Sequence, residues 1–238
     1  MKIPSKKKLL FFILTLLSAL LSVVGLILVL INDFGDYQIL YIFLVLIVGL
    51  LLMNSFKYRL GQEIYLEQHY LLLKNKIEPY SIGKPLLTKE WIFDITQKGF
   101  KRYKDFTNIS YYYRINKLSG KNKSGKTLSL LILIHDPKIN YDSPLIVNQI
   151  NSLEDELRKK EKYRQRVFIH VKSFNQIDEI AMSQTEKVFW IRKGNENIVS
   201  INLSYFEKEK QVYYIENKSY TPNRYYNHAI DEIKSMIK

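Results

Sequence analysis

The pattern of apolar and polar positions changes character near residue 55. Residues 9–31 form an uncharged run of 23, LLFFILTLLSALLSVVGLILVLI. At 1.5 Å per residue this predicts roughly 34 Å of helix, enough to cross a hydrocarbon core of about 30 Å. A second run over 39–53 holds 15 strictly apolar residues, and Tyr37, Gln38 and the residues after Met53 extend it. Together they reach about the minimum spanning length. Neither run shows a polar face, which argues against a helical hairpin buried in a soluble core. Helices over about 9–31 and 38–54 are expected, joined by a short connection, so that residues 1–54 form a two-helix transmembrane hairpin. The first run is too long for the apolar region of a signal peptide, no A-x-A-like site follows it, and a second span comes at once.

Beyond this point the pattern is that of an ordinary folded domain. Phe56, Leu60, Ile64 and Leu71 fall at roughly helical spacing with Lys57, Arg59, Glu63 and Glu67 between them. A juxtamembrane amphipathic helix over 55–77 is expected from this spacing. Pro79, Gly83 and Pro85 mark the next stretch as a loop, after which residues 78–238 read as one cytoplasmic α+β domain. Aromatic and β-branched runs predict strands over 91–96, 109–116, 128–135, 166–174, 188–191, 198–205 and 211–215. In the fourth of these, Val167, Ile169 and Val171 line one side. The polar segment 117–126 suits a hairpin loop, and 176–182 a short helix. Ser143 and Pro144 open a helix with Ile146, Ile150, Leu153 and Leu157 as its apolar stripe; Thr221 and Pro222 open the last one in the same manner. The fold class expected is α+β: the transmembrane hairpin, then a mixed cytoplasmic domain with a mostly antiparallel sheet.

Charge sets the orientation. The chain of 238 residues carries a net charge of +13, of which residues 55–238 hold +11. Lys2, Lys6, Lys7 and Lys8 precede the first span and Lys57 and Arg59 follow the second, whereas the connection carries only Asp33 and Asp36. The positive-inside rule then puts both termini in the cytoplasm, in a multi-pass protein of a bacterial cell membrane with two spans. Abundant Lys, Ile, Asn and Tyr point to A/T-rich coding and hence to a low-GC bacterium. Cysteine is absent, which excludes disulfides, thiolate metal sites and cysteine nucleophiles.

Candidate chemistry is sparse. Gly120-Lys-Asn-Lys-Ser-Gly125-Lys126-Thr127 satisfies the P-loop expression letter for letter. That mechanism needs a helix after the glycines, and TLSLLILIHD reads as a strand, so Gly120, Gly125, Lys126 and Thr127 are read as a hairpin turn and no cofactor is assigned. Glu216-Asn-Lys218 imitates the E-x-K of metal-dependent nucleases, with Asp136 or Asp178 nominated as the further acid only by assumption. His69, His135, His170 and His228 show no metal-ligand spacing, so no metal site is assigned. Lys98, Lys101, Arg102 and Lys104 interleave with aromatic residues. Beside a membrane anchor, anionic lipid headgroups are the nearer polyanion and nucleic acid the weaker reading; a strand edge kept soluble by lysine is the plain structural alternative.

In architecture, a two-span hairpin followed by a cytoplasmic strand-rich domain resembles membrane effectors of bacterial nucleotide-signalling defence systems. It also resembles bacterial membrane-tethered pleckstrin-like modules. The resemblance is one of layout and implies no site residues. The function expected is non-enzymatic: a membrane-anchored binding or adaptor module at the inner membrane face, with the lipid bilayer and a protein partner or second copy as its contacts. The alternative is a two-span effector whose hairpin oligomerises through Ser18, Ala19, Ser22, Gly25 and Gly49, although these form no G-x-x-x-G seam. A nucleotide-binding or nuclease enzyme is the third reading.

Overall fold

The computed structural model describes residues 5–32, 34–106, 108–117, 125–194 and 196–238. It divides into two compact units, Met1–Leu71 and Leu72–Lys238.

The first unit is made of helix α1 (Ser5–Ile31), a single 3-10 turn (Gly35–Tyr37) and most of helix α2 (Gln38–Lys74). The chain reverses through Gln38, whose amide donates to the Val29 carbonyl at 2.6 Å and accepts from the Phe34 N–H at 3.0 Å. The helices then run antiparallel along each other. A methyl group placed at Gly25 would sit 3.1 Å from Val45, and one at Gly49 would run into the Ser22 hydroxyl. Lys8 pairs with Glu67 at 2.7 Å, and the Arg59 guanidinium lies over the Phe11 ring. Thr15 and Ser22 return their hydroxyl protons to the carbonyls of Phe11 and Ser18 within α1. No side-chain hydroxyl of these two residues is left to ask for water. Both helices are long and apolar enough to cross a membrane, and only 6% of each apolar stretch is buried. The expected elements over 38–54 and 55–77 are one helix, because nothing in the sequence between them breaks the turn-to-turn hydrogen bonding. The helix carries on through the polar residues to Lys74.

The second unit holds an eight-stranded sheet among the described residues. In chain order it contains β1 (Tyr80–Ser81), α3 (Lys89–Gln97), β2 (Lys101–Phe106), β3 (Ile109–Lys117), β4 (Lys126–Ile134), α4 (Pro144–Lys160), β5 (Gln165–Phe174), α5 (Glu179–Thr185), β6 (Phe189–Lys193), β7 (Glu196–Phe206), β8 (Gln211–Tyr214) and α6 (Arg224–Ile237). The spatial order is β1-β8-β7-β5-β4-β3-β2. The sheet is mixed: β4–β5 and β5–β7 are parallel at its centre, and the flanking pairs are antiparallel. Helix α4 supplies the crossover that a parallel pair requires. Strand β7 is long enough for β6 and β8 to share one of its edges, β6 along its first half and β8 along its last.

Alternation decides which residues face which layer. Ile132 pairs with His170 and His170 with Asn202, so Leu128, Leu130, Ile132 and Ile134 share a face with Phe168, His170 and Lys172. That face packs on Ile146, Ile150, Leu153 and Leu157 of α4, the stripe read from the sequence. The opposite face carries Leu131, Val167, Ile169, Val199 and Ile201 and is covered by α6, which also packs on α3.

Two local expectations fail. The segment 91–96 is helical, not a strand: Thr88 accepts from the Trp91 N–H at 3.3 Å and caps α3. Trp91 and Ile95, one turn apart, are its buried pair, and the Trp91 indole donates to the Met236 carbonyl at 2.8 Å. The last helix is capped by Asn223, whose side chain accepts from Tyr225 N and Tyr226 N, both at 2.9 Å; Thr221 and Pro222 lie just outside it. Ser143 occupies the cap position of α4 without a side-chain hydrogen bond, and Pro144 does follow it.

Candidate functional site: polar centres on the two faces of the sheet

The residues singled out in the sequence do not converge. Gly120 lies outside the described residues. Gly125 adopts the left-handed region at φ +47° beside Arg164, and Lys126 and Thr127 open β4 opposite Lys117 and Asn116. A strand therefore follows the glycine, and the helix N–H groups that hold phosphate in a P-loop have no counterpart there. Lys126 pairs with Glu161.

The four basic candidates are divided among three places. Lys98 is the C-cap of α3 and donates to the Ser235 carbonyl. Strand β2 is the end of the sheet, and a bulge between Arg102 and Lys104 shifts its register. Arg102 pairs with Asp105 and, opposite Tyr112, belongs to the α6 face. Lys101 and Lys104, opposite Tyr113 and Tyr111, belong to the α4 face, with Lys104 over the Phe106 ring. Charges along an exposed edge strand and a bulge both discourage pairing with another chain.

The nuclease-like acids are likewise separate in role. Glu216 pairs with Lys234 at 2.6 Å. Asp178 caps α5 through the Ala181 N–H at 2.6 Å, and Asp136 accepts from the Lys138 N–H at 2.9 Å. Among the described residues no three His, Asp or Glu side chains gather as a metal site would require.

Sequence reading missed two buried polar centres. On the α4 face, Lys172 is fully buried in β5. Its amine donates to the Ile139 carbonyl at 2.9 Å and the Gln184 side chain at 3.2 Å, and lies over the rings of Tyr141 and Phe174. Burial pushes the Lys172 amine below its ordinary range, with Asp136 pulling weakly the other way. Next to it in the strand's alternation, His170 faces Ser200 at 3.3 Å and the edge of the Tyr141 ring. Desolvation lowers His170 to about 4, against the hydrogen bonds to Ile201 and Asn202 that favour its charge, so the ring is neutral near pH 7. Tyr141 bonds Ser204 at 2.9 Å, Ser204 bonds Thr185, and Asn202 donates to the carbonyls of Gln184 and Lys187. The network ties α5 and the loop before α4 to β5 and β7.

On the α6 face, Glu232 gathers Arg114 of β3 at 2.6 Å, Ser129 of β4 at 2.8 Å and His228 of its own helix at 3.1 Å, all on one carboxylate oxygen. Burial pushes this carboxyl up, but His228 and Arg114 outweigh it and hold the group below the ordinary range. Arg114 also donates to the Lys98 carbonyl and covers the Phe100 ring, which joins α3, α6 and the sheet at one point.

The first centre was hidden by its place in the sheet. His170 and Lys172 occupy the positions that alternate with Val167, Ile169 and Val171, and in a half-exposed strand those positions meet water. Strand β5 is central and covered on both faces, as parallel strands are. The available signal was the parallel crossover: a helix of strand-spanning length between two strands, which calls for burial on both sides. No protein-family model, no curated protein and no solved structure matches this chain.

Proposed function

We propose that this protein is a membrane-anchored, non-enzymatic binding module in which α1 and α2 hold the second unit at the cytoplasmic face of a bacterial membrane. One observation carries the reading: α1 beyond its lysines and the first half of α2 are apolar around their circumference and that surface is open. Leu20, Leu30 and Leu51 are 61%, 65% and 65% exposed, and so are their neighbours in kind. Contiguous apolar surface of this extent is unfavourable in water by about 25 cal/mol per Å² and favourable in hydrocarbon. Lys6, Lys7 and Lys8 in the first turn of α1 and Lys57 and Arg59 in α2, against Asp36 in the connection, support placing both termini in the cytoplasm. The binding role rests on how the second unit uses its chemistry. Lys172, His170, Glu232 and Arg114 are engaged in holding helices on the sheet, which leaves the outer surface as the part that meets a partner.

The effector reading draws less support. Gly25 and Gly49, which it needs between chains, face α2 and α1 within one chain.

Cell fractionation tests the anchor. The full chain is expected to stay with membranes through high salt and alkaline carbonate, and to be released by detergent. Release by carbonate alone would overturn the reading.

A further inference from the structure

Basic residues collect at one end of the sheet. There β3 and β6 end, β4, β5 and β7 begin, and the crossover helix α4 comes down, as the registers Lys117–Lys126, Thr127–Gln165, Gln165–Asn197 and Lys193–Glu196 require. Lys117, Lys159, Lys160, Lys162, Arg164 and Arg192 are all exposed at this end. Among the described residues the ion pairs at this end take Lys126, Arg158 and Arg166, satisfied by Glu161, Glu154 and Glu196, and none of those six; Arg192 donates to the Gly194 carbonyl at 3.3 Å. The opposite end of the sheet is mixed in charge: Asp136, Asp142, Glu207 and Glu209 share the turns after β4 and β7 with Lys138, Lys208 and Lys210. Unbalanced basic charge is therefore concentrated at the first end.

The dipole of α4 accounts for base in its last turn, Lys159 and Lys160 included. It does not account for Lys117, Lys162, Arg164 or Arg192, which lie on strand ends and connections. Edge protection fits Arg192, on the outer strand β6, but not Lys162 or Arg164, which lead into the interior strand β5.

We propose that this basic end is a contact surface for anionic lipid headgroups, a proposal that rests on the membrane-anchored reading. Exposed basic side chains spread over several elements suit a diffuse negative surface, whereas single-stranded nucleic acid asks for exposed rings between the charges. Tyr163, the ring at this end, is buried beneath the Arg158 guanidinium. What is exposed beside the charges is aliphatic: Ile191 of β6, 52% open. Each basic residue within a Debye length of about 8 Å of the headgroups strengthens association about fivefold.

The test uses the full chain in bilayer nanodiscs containing a dansyl-headgroup lipid, with energy transfer read from Trp91 and Trp190, the chain's two tryptophans. Replacing neutral lipid by about 30% phosphatidylserine is expected to raise transfer about twofold, and about 0.5 M salt to reverse it. Replacing all six residues by Gln (K117Q, K159Q, K160Q, K162Q, R164Q, R192Q) is expected to abolish the rise. The control set K98Q, K101Q, R102Q and K104Q is expected to preserve it. No rise in the parent chain, a rise that survives the six changes, or a rise lost in the control set would overturn the proposal. So would retardation of a single-stranded oligonucleotide by nanodiscs that ignore phosphatidylserine. A chain that fails to stay in the nanodisc refutes the anchor instead, so the two failures are distinct.

Discussion

His170 is a neutral imidazole enclosed by the Tyr141 ring and the Ser200 hydroxyl, and that fixes how the fold responds to acid. Its folded-state value of about 4 lies below the ordinary 6.5, because burial penalises the charged ring. As pH falls from 6.5 towards 4, the unfolded chain takes up a proton that the folded chain refuses. Its contribution to stability is complete above the upper value and is lost across that window, on the order of 3 kcal/mol in all. Carboxylates titrate in the same range, so the informative quantity is a difference. His170→Gln is expected to lose less melting temperature than the parent chain between about pH 7 and about pH 4.5. Equal losses would show that His170 is charged or exposed in the folded state. Lys172, two residues on, shows the same enclosure, its amine held by a carbonyl and an amide oxygen, with Asp136 acting on it only at longer range. Such a group orders the α5 layer through its hydrogen bonds more than through charge pairing.

At the scale of elements, the helix starts separate what sequence conveys from what packing decides. Pro144 and the stripe Ile146–Ile150–Leu153–Leu157 were legible because they are local: a fixed φ at the first turn and a 3.6-residue apolar period. The cap of α6 was read two residues too early. Thr221-Pro222 imitates Ser143-Pro144, yet it is Asn223 whose side chain satisfies two free N–H groups. Asn223→Ala is therefore expected to cost about 1 kcal/mol in denaturant unfolding, and Thr221→Ala less than about half of that. The reverse order would restore the sequence-based cap. The misreading of 91–96 has a different origin. Trp, Ile, Phe and Thr favour strands by packing preference, but here the Trp91–Ile95 pair finds its burial against α6, and α6 cannot be placed from local sequence. Strands β3 to β8 were legible, whereas β1, β2 and the mixed order of the sheet were not. Pairing β5 with β7 rather than with β6 depends on contacts across the whole unit.

At the scale of the whole molecule, the account joins a unit whose sheet has a basic end to a pair of helices with open apolar surface. The helix pair was legible at once, since 23 uncharged residues leave little else to conclude. The candidate site was not, because the residues that looked chemical (Lys126, Lys98, Glu216) turned out to be ends of strands and helices engaged in ion pairs or caps. The central claim is that the helix pair spans a membrane twice, with the connection on one side and the second unit on the other. The absence of cysteine makes this directly testable, since any cysteine introduced is the only one present. Asp36→Cys marks the connection and Lys218→Cys marks the second unit; both positions are exposed. In intact bacterial cells, a membrane-impermeant maleimide is expected to label Asp36→Cys and to reach Lys218→Cys only after the cells are broken. Labelling of Lys218→Cys in intact cells, or equal protection of both positions, would contradict the account.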